Sequence, residues 1–112
     1  MSFTIDSIEF NGPITQTGEL ENHPGLFVLL ETIEDTTEVI DFGFMKDLAA
    51  ELSITVRDTK LKKGILKVGF KYVESAEEAE PLVERLEAWF DTCDSCIIPI
   101  QEQEGSAMTL KN

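Results

Sequence analysis

Before Lys46 the sequence has no lysine or arginine, although nine acids stand there: Asp6, Glu9, Glu19, Glu21, Glu31, Glu34, Asp35, Glu38 and Asp41. Over the whole chain 9 bases face 22 acids, a net charge of −13. That shortage of cations weighs against nucleic acid as a partner, because such binding draws most of its strength from neutralised phosphates. The 2 cysteines are too few for a disulfide framework, and with 1 histidine they offer no second cysteine pair for a zinc site. No apolar run reaches the roughly 18 residues that a membrane-spanning helix needs. The start, Met-Ser-Phe-Thr-Ile-Asp, lacks a basic and an apolar signal region, so a cytoplasmic location is expected. The glycines at 12, 25, 43, 64 and 69 match no dinucleotide or phosphate-cradling pattern.

What is present fits one domain over residues 1–112, with a core over about 3–101 and a flexible tail at 102–112. A content of 42% hydrophobic and 28% charged residues is that of a globular chain rather than a disordered one. Charge falls into blocks. Residues 46–71 hold seven bases and three acids, and residues 72–112 hold two bases and ten acids. The basic island Arg57–Lys71 reads either as a phosphate-binding patch or as a solvated face balanced within the molecule.

Hydropathy patterning predicts alternating strands and helices. Phe3, Ile5 and Ile8 alternate with polar residues up to Asn11-Gly12-Pro13, a turn signal. The stretch 14–24 reads as loop. Strands are predicted at 25–32 and 37–42, joined as a hairpin, and at 65–73, where Leu66, Val68, Phe70 and Tyr72 alternate. Helices are predicted at about 43–52, from the spacing of Phe44, Met45, Leu48, Ala49 and Leu52, and at about 78–91. Ser75-Ala-Glu-Glu78 has the form of a capping box. Pro81 either kinks the second helix or moves its regular start toward Glu78. A short edge strand is expected at 97–101. The expected core comprises Leu26, Val28, Leu30, Ile40, Leu48, Leu52, Leu66, Val68, Phe70, Leu82, Leu86 and Phe90.

The Phe10-Asn11-Gly12-Pro13 opening, the strand Gly25-Leu26-Phe27-Val28-Leu29-Leu30, the strand Val39-Ile40-Asp41-Phe42-Gly43 and the helix–strand–helix that follows resemble the GIY-YIG nuclease superfamily, over about residues 3–96. The resemblance implies an α/β chain of the α+β kind, with a small central antiparallel three-stranded sheet and flanking helices. It also implies a metal-dependent phosphodiesterase whose machinery is mostly missing here. Phe27 stands where the family has its first tyrosine and lacks the hydroxyl. Asp41 stands where it has the second, and Gly43 keeps the motif glycine. The helix after Gly43 offers Lys46 in place of an arginine. The family's glutamate falls on Val83, with Glu80 and Glu84 as neighbouring residual candidates. Loss of charge-stabilising donors weighs against catalysis, since each is worth about a hundredfold or more in rate.

Cys93-Asp-Ser-Cys96 follows a helix rather than opening one, so two reduced cysteines are expected, with redox use, or metal binding by Cys93 and Cys96 (and His23 as a distant third ligand), as the alternatives. No cofactor is implied. Three readings follow: a non-catalytic domain acting by protein binding, an acidic inhibitor occupying a basic nucleic-acid cleft, or a divergent nuclease using Asp41 with Glu80 or Glu84 around a metal. The first two expect a protein partner, basic in the second case, and none requires a membrane.

Overall fold

The computed structural model describes residues 2–55, 66–93 and 96–98. Strands β1 (Ser2–Ile5), β2 (Ile8–Ile14), β3 (Gly25–Ile33), β4 (Thr36–Met45) and β5 (Leu66–Tyr72) form one antiparallel sheet in the order β1-β2-β5-β3-β4. Helices α1 (Leu48–Thr55) and α2 (Ala76–Thr92) complete an α+β chain, with a short 3-10 turn at Thr17–Glu19. The three strands expected from the sequence lie side by side as β5-β3-β4. The sheet has five strands rather than three, because the first segment folds into a hairpin of its own and pairs with β5.

Both hairpins close with two-residue loops whose central residues take left-handed backbone: Asp6 and Ser7 in one, Glu34 and Asp35 in the other. That geometry matches the right-handed twist of the strands it joins. Asn11-Gly12-Pro13 is not a turn. It lies inside β2, where the register against β5 shifts between Asn11 and Ile14. Gly12 has φ +100°, and a Cβ there would come within 2.9 Å of the Val68 carbonyl oxygen, so the bulge requires glycine.

A second bulge corrects the expected core. Leu29 faces Asp41 while Leu30 faces Val39, which leaves Ile40 as the extra residue on β4. Val39 is therefore the buried one, at 2% exposure, and Ile40 stands out at 39%. Phe70, Leu82 and Phe90, also expected in the core, are half-buried at its rim; the remaining eight are buried.

Alternation along the strands divides the core between two faces. On one, Phe3, Ile5, Ile8, Phe10, Leu26, Val28, Leu30 and Val39 pack beneath Ala79 and Leu86 of α2, with Phe42 edge-on to Phe90 at 5.5 Å. On the other, Phe27, Leu66 and Val68 pack with Leu48 and Leu52 of α1 and with Leu20. Burying each large aliphatic side chain contributes about 1.5–3 kcal/mol.

Helix boundaries follow their caps. The first helix does not begin at 43, because Gly43, Phe44 and Met45 continue β4. Its start is set by Asp47, whose carboxylate accepts from the Ala50 N–H (3.1 Å) while the Glu51 carboxylate accepts from the Asp47 N–H (3.0 Å). At α2 the Ser75 hydroxyl accepts from the Glu78 N–H (3.2 Å), and the Glu78 carboxylate reaches the N–H of Glu74 (2.7 Å). Pro81 sits inside α2, which is helical from Ala76 onward. Arg57, Lys60, Lys62 and Lys63 of the basic island, and the tail 102–112, lie outside the described residues.

Candidate functional site

The positions that carried the nuclease resemblance do not assemble into one site. Phe27 is 6% exposed on the α1 face, directly across from Gly43. A Cβ on Gly43 would lie 3.2 Å from the Phe27 ring, so this pair serves as close packing between neighbouring strands. Asp41 is in register with Leu29 on that same face, and its carboxylate accepts from the next N–H, that of Phe42, at 2.8 Å. Glu80 and Glu84 belong to α2, which covers the opposite face. Phe27 and Asp41 are thus separated from the glutamates by the sheet itself. Among the described residues no three His, Cys, Asp or Glu side chains converge as a metal site would require.

The cysteines differ from expectation. Cys93 and Cys96 are joined in a disulfide rather than left as thiols, and a disulfide offers no thiolate to a metal. Cys93 caps the end of α2, its N–H donating to the Trp89 carbonyl at 3.0 Å. Past the disulfide, the chain lies along the edge of β4. The Val39 N–H donates to the Cys96 carbonyl (2.9 Å), and the Ile98 N–H donates to the Thr37 carbonyl (3.0 Å). Ile97 accordingly makes a single bridge to Glu38 at the start of the edge strand expected over 97–101, of which 99–101 lie outside the described residues, and Ile98 is buried in the core. His23, the distant third ligand of the sequence reading, packs edge-on against Tyr72 of β5 at 5.4 Å.

A different feature is built by α2. Glu77, Glu80, Glu84, Glu87 and Asp91 are all exposed and recur at alternating steps of three and four residues. On a helix rising 1.5 Å per residue they form one ridge about 21 Å long. The single base on the helix, Arg85, lies off this ridge. Its guanidinium pairs with the Asp6 carboxylate at 3.5 Å and donates to the Asp6 carbonyl, tying α2 to the β1–β2 loop. Along the ridge runs a trough of about 320 Å³ between α2 and β4. Phe44, Ala79 and Val83 supply its apolar lining, and Glu80, Glu84 and Glu87 supply its charged wall.

Glu80 and Glu84, residual catalytic candidates by sequence, belong instead to this ridge, a membership that the nuclease resemblance does not reveal. The signal was present in the three-four spacing of the acids, which repeats the helical period of the apolar residues beside them. Chemically, the surface can attract and orient cations. It holds no paired nucleophile and base. No protein-family model, no curated protein and no solved structure matches the chain.

Proposed function

We propose that the chain is a non-catalytic domain that acts by protein binding, on a GIY-YIG-like scaffold, and that α2 presents its acidic ridge to a basic surface of the partner. The observation that carries this reading is the ridge: five exposed carboxylates aligned with no base among them. Complementary potentials would speed encounter and fix orientation across such a surface. The succession β3, β4, α1, β5, α2 supports the scaffold, with the β1–β2 hairpin as an addition. The burial of Phe27, the local hydrogen bond of Asp41 and the sheet standing between Asp41 and Glu80 or Glu84 support the absence of catalysis.

The length of the ridge favours a second reading, an acidic inhibitor that occupies a basic nucleic-acid cleft. Its carboxylates step at about 5 Å along the helix axis, against about 3.4 Å for the phosphates of one DNA strand. An inhibitor of this kind would be displaced from its partner by nucleic acid, and a domain bound elsewhere on the partner would not.

The test has two arms. Capture from the native host at low salt should recover a basic protein whose binding falls steeply as salt is raised. Incubation with single-stranded DNA, duplex DNA or RNA in magnesium or manganese should leave each intact. Metal-dependent cutting that disappears in Glu80→Ala or Glu84→Ala would overturn the reading in favour of a divergent nuclease.

A further inference from the structure

We infer that the trough between β4 and α2 seats an extended basic segment of the partner, added as a strand along Phe42–Met45 of the β4 edge, which no strand among the described residues covers. This rests on the protein-binding reading above and names where and in what form the partner binds. The edge accepts a strand already, because the chain's own residues 96–98 bond to Thr37 and Val39 there. Beyond that point, no strand among the described residues pairs with the outer side of Phe42–Met45. The Phe42 N–H donates to the carboxylate of the residue before it, Asp41, at 2.8 Å. That side-chain cap is one an incoming carbonyl can replace.

The trough lining selects the side chains. A strand laid on this edge would direct alternate residues toward α2. There they would meet Phe44 and Val83 first and Glu80, Glu84 and Glu87 beyond them. Lysine and arginine fit that sequence of surfaces, since their stems cover apolar area while their heads stay at the charged rim. An acidic or wholly apolar strand would leave the carboxylates facing like charge or no partner. Arg85 does not compete, being held by Asp6 off the ridge.

The probe is a short peptide alternating lysine and threonine, titrated into the full chain at low salt and followed by amide chemical shifts. The largest changes are expected at Phe42, Phe44, Ala79 and Val83. The combined Glu80→Gln, Glu84→Gln and Glu87→Gln variant should weaken binding roughly tenfold or more. The combined Glu9→Gln, Glu19→Gln and Glu21→Gln variant, with the same change in net charge, should alter it less than about twofold. A peptide N-methylated at alternate residues should lose binding, because edge pairing needs its backbone donors. Equal losses in the two triple variants, or unmoved amides along β4, would overturn the trough as the seat while leaving a protein-binding role intact. Metal-dependent cutting would instead remove the reading beneath it.

Discussion

The two faces of the sheet are covered by helices of opposite character. On one, α2 runs 17 residues with a sharply divided surface, apolar inward through Ala79, Leu82, Leu86 and Phe90, and acidic outward. On the other, α1 runs 8 residues and contributes mainly Leu48 and Leu52. The longer helix does two jobs, closing the larger core and carrying the charge that faces a partner. The shorter one closes a smaller core and leaves the ridge to α2. A helix whose inner face is over-determined by packing can give an outer ridge to one sign of charge, because few of its contacts depend on that charge.

Identical truncations on the two faces measure that contrast most directly. Leu86→Ala should destabilise the chain by about 3–5 kcal/mol and Leu52→Ala by about 2–3 kcal/mol, because a short helix can close more of the space left behind. Urea unfolding of both variants gives the comparison, and equal or reversed costs would say that the smaller core is as tightly packed as the larger. A smaller effect, about 1–3 kcal/mol, is expected for Gly12→Ala, which forces a Cβ against the Val68 carbonyl in left-handed backbone. Loss there without a change in the α2 core would show that the β2 bulge holds the first hairpin to β5. The finest test sets neighbours against each other. Val39→Thr puts a hydroxyl into the buried face and should cost about 1–3 kcal/mol, whereas Ile40→Thr should change stability by less than about 0.5 kcal/mol. If Ile40 proves the costlier of the two, the register of β4 is one residue away from that described.

Much of the architecture could be read from the residues, where one period dominated. The β3–β4 hairpin, β5 and α2 each show sustained alternation or a clean helical stripe, and each lies within a few residues of its expected place. The failures share a cause, a local signal serving two geometries. Asn11-Gly12-Pro13 has the composition of a turn, yet a strand bulge also needs glycine and tolerates proline. The actual turn, Asp6-Ser7, lacks the glycine that usually announces a two-residue loop. Phe44 and Met45 fall at helical distances from Leu48 and Leu52 although they close a strand, and Asp47 with Glu51 was the better guide to the helix start. The β4 bulge, unlike that of β2, adds its residue with no glycine to mark it, which is why alternation alone puts Ile40 inside. The candidate surface was half legible. Its members were visible as acids, but only the position of β4 beside α2 turns three of them into a wall.

The strand order also constrains the timetable of synthesis. β2 finds its second neighbour only in β5, so the first hairpin must wait until residue 72 has emerged before the sheet can close around it. The ring faces of Phe3 and Phe10 wait longer still, until Ala79 and Leu86 arrive on α2. Non-local pairings of this kind slow folding and leave apolar surface exposed meanwhile. By then residues 1–71 carry twelve acids and seven bases, and a net charge of one sign opposes association between unfinished copies while the hairpin stands exposed.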